Sequence, residues 1–153
     1  MVSERILRRS SGALSLLGIG FASYITIADS GGGAPVCVAG GGGCETVASS
    51  PYSHLAGVNI AVFGIVGYVL LLAAVLLRGD SARLAGFFLA LVGFGCSAYL
   101  TYLELFTIHA VCQWCLASAV LMTLLFALNT SRALGYLGKA ELVGDPPIRL
   151  EET

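Results

Sequence analysis

Four stretches of this 153-residue chain, roughly 12–28, 55–77, 84–103 and 110–128, hold no charged side chain. Each is near the ~20 residues that a helix needs to cross the hydrocarbon core of a bilayer. Overall, 57% of the residues are hydrophobic and 11% are charged, where an ordinary soluble domain carries about 25% charged residues. The balance predicts an all-α integral membrane protein, a bundle of four transmembrane helices, and argues against a soluble helical bundle. A net charge of −1 and the lack of a basic patch with interleaved aromatics give no reason to expect a nucleic-acid partner.

The basic residues set the orientation. With four spans, Arg5, Arg8, Arg9, Arg78, Arg83, Arg132, Lys139 and Arg149 all fall on one side, in an N-terminal arm (1–11), the second loop and a C-terminal tail (130–153). The first and third loops, 29–54 and 104–109, contain none. The positive-inside rule then predicts cytoplasmic termini and extracytoplasmic first and third loops, with the membrane domain at 12–129 and the protein in the inner (cytoplasmic) membrane. Arg8-Arg9 ahead of an apolar run also fits a cleaved signal peptide, but the length of the run and the lack of a clear small-x-small cleavage site favour a retained helix. Small residues within the spans, Gly12, Gly18, Gly20, Ala22 and Ser23 in the first, Gly57, Gly64 and Gly67 in the second, and Gly93, Gly95, Cys96, Ser97 and Ala98 in the third, predict close helix packing.

The first outer loop is rich in glycine, with Gly31–Gly33 and Gly40–Gly43. Glycine loses the most entropy on ordering, so the segment between Cys37 and Cys44 is expected to be mobile. After it, Ser50 suits an N-cap and Pro51 the first position of a short interfacial helix over Pro51–Ala56. Tyr24, Tyr99, Tyr102 and Trp114 gather toward the outer ends of the spans, where interfacial anchoring is their usual role and walling a ring-shaped ligand the alternative. Glu104 and His109 read as interfacial polar residues, with proton handling as the alternative. Cys96, inside the third span, reads as a small apolar residue, and Gly144-Asp145-Pro146-Pro147 as part of a short disordered tail.

Four of the five cysteines share the outer side: Cys37 and Cys44 in the loop, Cys112 and Cys115 at the mouth of the last span. A four-thiolate metal site fits the Cys-x-x-Cys half but not the six-residue spacer of the other half. Two structural disulfides would explain an even count, but the short Cys-x-x-Cys loop gives little entropic stabilisation. An electron relay by thiol–disulfide exchange uses every feature: glycines let one pair move, a helix N-terminus favours the thiolate, and the bilayer gives access to a lipid-soluble acceptor. The relay is the preferred reading, with no metal expected.

Cys37, Cys44 followed by Val47 and Ser50, then Gly57 and Gly64, and Cys112-Gln113-Trp114-Cys115-Leu116 followed by Ser118, together resemble the vitamin K epoxide reductase family from the first span to the fourth. The resemblance implies a four-helix bundle around a quinone, with a short horizontal helix after the loop. Cys115 would face and reduce the quinone, Cys112 would exchange with Cys44, and Cys37 with Cys44 would take electrons from a thioredoxin-like partner. Ser50 would be the family's loop serine near the active site, and Ser50 and Trp114 are the candidate quinone-site residues besides the cysteines. The implied function is a quinone-dependent thiol–disulfide oxidoreductase that reoxidises a separate thioredoxin-like protein for disulfide formation in exported proteins, with ubiquinone, menaquinone or a vitamin K type quinone as acceptor. A non-enzymatic scaffold with structural disulfides, or vitamin K quinone or epoxide reduction proper, are the alternatives. Asn59 stands where bacterial members usually carry proline, so the entry to the second span is expected to differ. Ala119 stands where the animal enzymes carry a tyrosine.

Overall fold

The computed structural model describes residues 4–143 except Ala39, Gly41 and Arg78. The expected tail at Gly144-Asp145-Pro146-Pro147 lies outside the described residues, as do Arg78 and Arg149. The chain forms α1 (Glu4–Ser30), a short α2 (Gly43–Ala48), one 3-10 turn (Pro51–Ser53), a small antiparallel hairpin of β1 (His54–Leu55) and β2 (Val58–Asn59), then α3 (Ile60–Leu76), α4 (Asp80–Leu103), a π-helical turn (Glu104–Ile108) and α5 (Gln113–Val143). The four long helices close into a ring, with α1 against α3 and α5, and α4 against α3 and α5.

Three of these helices, Glu4–Ser30, Asp80–Ile108 and Gln113–Gly138, are long and apolar enough to cross a membrane. The fourth, Ile60–Leu76, is apolar but has 17 residues. The expected second span starts five residues earlier because its first residues are apolar; they fold instead into the hairpin, which turns at Ala56 and Gly57, both with positive φ. The expected helix over Pro51–Ala56 is therefore only a single 3-10 turn, and the loop's true helix, α2, lies upstream and carries Cys44. Ser50 does hold the N-cap position of that turn, yet its hydroxyl donates back to the Val47 carbonyl at 2.7 Å and caps nothing. Asn59 does the capping for α3: its side-chain oxygen accepts from the Ala61 N–H at 2.8 Å, so this residue supplies by hydrogen bonding the start that a proline would supply by a fixed φ.

Packing follows the small residues. Ser11, Ser15, Gly18 and Ala22 form the buried stripe of α1, spaced three and four apart on one face. Tyr68 of α3 fills the space this stripe leaves and hydrogen-bonds Ser118 of α5, with its hydroxyl 3.0 Å from the carbonyl and 2.8 Å from Oγ. Around Tyr68, Leu71, Ala90, Met122 and Leu125 make the buried core. Gly93 of α4 lies against Met122, whose sulfur would sit 2.7 Å from an added Cβ.

At the end opposite the four outer cysteines, polar groups tie the helices together. Arg8 donates to the Val75 and Leu76 carbonyls at 2.7 and 3.0 Å, satisfying the free C-terminal end of α3. Glu4 reaches Arg132 at 3.2 Å and Arg83 at 3.8 Å, joining α1, α5 and α4. The basic arm is helical from Glu4, and α5 continues to Val143.

Gly18→Ala should loosen the α1–α3 contact, because the new methyl would land on the Tyr68 ring, which its Ser118 bonds hold in place. We expect a loss of about 1–3 kcal/mol in unfolding of the protein in detergent. Gly20→Ala, whose Cβ meets nothing within 4 Å, should behave as wild type.

Candidate redox site

Cys112 precedes the first residue of α5, and its carbonyl accepts the first bond of the helix, from Leu116 N–H at 2.9 Å. It is therefore the N-cap. Its sulfur accepts a hydrogen bond from the Cys115 thiol and further ones from the backbone N–H groups of Cys115 and Trp114. These donors favour the thiolate form of Cys112 despite its burial, the Cys115 thiol being the largest cause. A sulfur at a helix N-terminus with free amides aimed at it is the usual setting of a reactive thiolate.

The other pair sits against this one. Cys37 and Cys44 form a disulfide with Cα atoms 5.8 Å apart, while Cys112, Cys115 and Cys96 are free thiols. Cys44 is 1% exposed and Cys112 2%. The backbones carrying them are in direct contact: a Cβ on Gly43 would meet the Val111 carbonyl oxygen at 2.5 Å. Glycine at 43 is thus required by proximity, a reason apart from the flexibility read from the sequence.

Trp114 explains how the loop is held there. At about 100° per residue, Cys112 and Cys115 share a helix face and Trp114 points away from it. Its indole N–H donates to the Val36 carbonyl at 2.9 Å, and the Val36 N–H donates to the Tyr24 hydroxyl at 3.1 Å. The Trp114 ring packs on Tyr24 and Phe21, at 5.0 and 5.6 Å between centroids. Both backbone groups of the residue before Cys37 are thereby fixed, by α1 and by the tryptophan between the membrane-proximal cysteines. The hairpin is tied back as well, His54 Nε2 lying 3.2 Å from Asp29 at the end of α1.

Cys44, Cys112 and Cys115 open on a largely apolar cavity of about 610 Å³, which Ser50 and Asn59 line near the loop and Tyr68 and Met122 bound at its floor. Exposed Phe63, Val92 and Tyr99 line it from α3 and α4, so its side wall opens between those two helices. Ser50 thus reaches the cavity, whereas Trp114 is not among its lining residues. Cys96 also lines it. Among the described residues, no cluster of three or more His, Cys, Asp or Glu is placed to hold a metal ion.

One residue that the sequence reads first as interfacial, with proton handling as the alternative, belongs to this site. Glu104, 5% exposed, accepts the Cys112 N–H at 3.1 Å and is hydrogen-bonded to the Cys115 thiol. It was placed at the interface because the apolar run ends at Leu103. The helix continues instead through the π turn to Ile108, carrying Glu104 inward. The available signal was a lone carboxylate within a span-length helix, which by default marks a working site.

The vitamin K epoxide reductase family model matches residues 10–130, which takes in α3, α4, most of α1, α5 as far as Thr130, and both cysteine pairs. The chain belongs to the vitamin K epoxide reductase family. No curated protein matches the chain. Membership makes this a membrane-embedded oxidoreductase with a quinone-linked redox function, and the cavity beside the family's cysteine motif is apolar, as a quinone ring requires.

Because the Cys112 thiolate is the stabilised form, alkylation of reduced protein at Cys112 should rise with pH through a midpoint below that of an ordinary thiol. Cys115→Ala removes the largest stabiliser of that charge, so the midpoint should climb. An unchanged midpoint in the variant would show that the backbone amides suffice without the thiol.

Proposed function

We propose that the protein is a thiol oxidoreductase of the inner membrane that reoxidises a separate thioredoxin-like dithiol protein and passes the electrons to ubiquinone, menaquinone or a related membrane quinone. The observation that carries this reading is that Cys44 of the loop pair lines the same apolar cavity as Cys112 and Cys115, with backbone touching backbone at Gly43 and Val111.

The reduced partner attacks the Cys37–Cys44 disulfide through a mixed disulfide and leaves oxidised, with both loop sulfurs reduced. Cys44 then attacks Cys112 of the Cys112–Cys115 disulfide, releasing the Cys115 thiolate. Cys37 next attacks Cys44, which closes the loop disulfide again and frees Cys112. The membrane pair, now a dithiol, returns to a disulfide by giving two electrons and two protons to the quinone, which leaves as the quinol. A closed loop disulfide beside two helix thiols, the arrangement seen here, is the state that immediately precedes quinone reduction. The opening between α3 and α4 gives an isoprenoid tail a path into lipid while the ring lies near Cys115.

In the membrane, α3 would be the second of four spans, its short length extended by the hairpin on one side and Leu77 on the other. Arg8, Arg83 and Arg132, tied together through Glu4 and the α3 carbonyls, would mark the cytoplasmic face by the positive-inside rule. The cysteine end would then face the oxidising compartment, where a partner disulfide persists.

Purified protein should reduce a short-chain ubiquinone analogue when supplied with a reduced thioredoxin-like donor. Cys115→Ala should abolish the reaction and Cys96→Ala should leave it intact; the reverse pattern would overturn the assignment. Gly43→Ala should slow transfer from donor to quinone by about 5- to 150-fold, since forcing a methyl against a fixed backbone costs about 1–3 kcal/mol. It should spare quinone reduction when the membrane pair is reduced chemically.

A further inference from the structure

Closing the membrane disulfide poses a proton problem that the two thiols do not solve between them. Cys112, at the N-cap of α5, is the sulfur that the free amides of the first turn favour as thiolate. The remaining proton of the pair then sits on Cys115, whose thiol is hydrogen-bonded to Cys112 and to Glu104. To act on the quinone, Cys115 must give that proton up. Handing it to Cys112 would quench the sulfur that has to close the disulfide.

Glu104 is the other group bonded to the Cys115 thiol. It lines the same cavity as both thiols, and its position is over-determined. The Cys112 N–H is donated to Oε2 at 3.1 Å, and the Glu104 carbonyl accepts from the Ala110 N–H at 3.1 Å and from His109. His109 follows with φ 55, and π turns of this kind are frequent at functional sites. No cation neutralises the carboxyl: among the described residues Glu104 forms no ion pair. The titratable groups against it from α5 are the two thiols. On α2, which packs on the same turn, Cys44 is locked in its disulfide and Glu45 is exposed. His109, on its own turn, is exposed.

We infer that Glu104 is a catalytic acid–base that takes the proton from the Cys115 thiol and returns it to an oxygen of the reduced quinone. The inference rests on the quinone reading above and adds to it the route of one proton. The step balances as follows. The Cys115 S–H bond breaks and an O–H bond forms on Glu104. The Cys112 sulfur bonds to the Cys115 sulfur, and an electron pair passes to the quinone ring. Glu104 gives its proton to one ring oxygen and the second proton is drawn from water. The dithiol has lost two electrons, the quinone has gained two electrons and two protons, and Glu104 ends as it began.

The test is a single turnover. Wild type, Glu104→Gln and Glu104→Asp, each with the membrane pair reduced, are mixed with a short-chain ubiquinone analogue over a range of pH, and quinol absorbance and disulfide formation are followed together. Glu104→Gln keeps an oxygen for the Cys112 N–H and loses only the titrating function. It should slow quinol formation by about 100-fold or more and flatten its pH profile, with Glu104→Asp restoring part of both. Alkylation of Cys112 should remain wild type in its extent, which a merely structural defect would not allow. A glutamine variant with the wild-type rate and profile overturns the inference and leaves the quinone reading standing. No quinol from wild type removes both. A measurement on wild type does not depend on any variant folding: the time-resolved infrared difference spectrum of the turnover should contain a protonated-carboxyl band that appears and decays before quinol formation is complete. Its absence from a protein that does form quinol would also overturn the inference.

Discussion

The start of α5 organises the whole site. One N-cap residue, Cys112, has its sulfur on the free amides of the first turn and on the Cys115 thiol. One turn later Cys115 faces the cavity, and between them Trp114 grips the loop at Val36. The three side chains point where they do because successive helical residues are rotated by about 100°. The Cys-x-x-Cys spacing thus brings two sulfurs onto one face and turns the intervening residue out as a clamp. The thiolate, its exchange partner and the apolar cavity all depend on where this helix begins.

The rest of the fold serves that helix start. Small residues on α1 let Tyr68 close the floor of the cavity, and Tyr68 in turn bonds Ser118 one turn below Cys115. Asn59 ends the hairpin and starts α3 at the cavity mouth. The loop is held by few but specific points, namely Val36 between Tyr24 and Trp114, His54 against Asp29, and Gly43 against Val111.

Much of this was legible in the sequence, for physical reasons. Uncharged runs and the one-sided placement of arginines are local signals, and a bilayer leaves little choice about what such runs become. The four cysteines could be grouped because topology alone places them at one end. What was not legible depends on contacts distant in sequence. Hydropathy ended the third span at Leu103, since a carboxylate looks like a boundary, and only the docking of Cys112 N–H on Glu104 shows that the helix carries it inward. Leu55 to Asn59 read as helix because they are uncharged and mostly apolar, but Ala56 and Gly57 turn the chain back into a hairpin. Trp114 was legible as an aromatic near the interface, whereas its partner Val36 lies 78 residues away.

The central claim is that the Cys44 and Cys112 sulfurs meet during turnover, and it has a direct measurement. Replacing Cys37 and Cys115 by alanine removes the two sulfurs that would resolve the intermediate. After mild oxidation, peptide mass spectrometry of that double variant should find Cys44 joined to Cys112 in most molecules within membranes. Recovery of Cys44 and Cys112 as separate free thiols, under conditions that close the Cys37–Cys44 bond in the parent protein, would contradict the account.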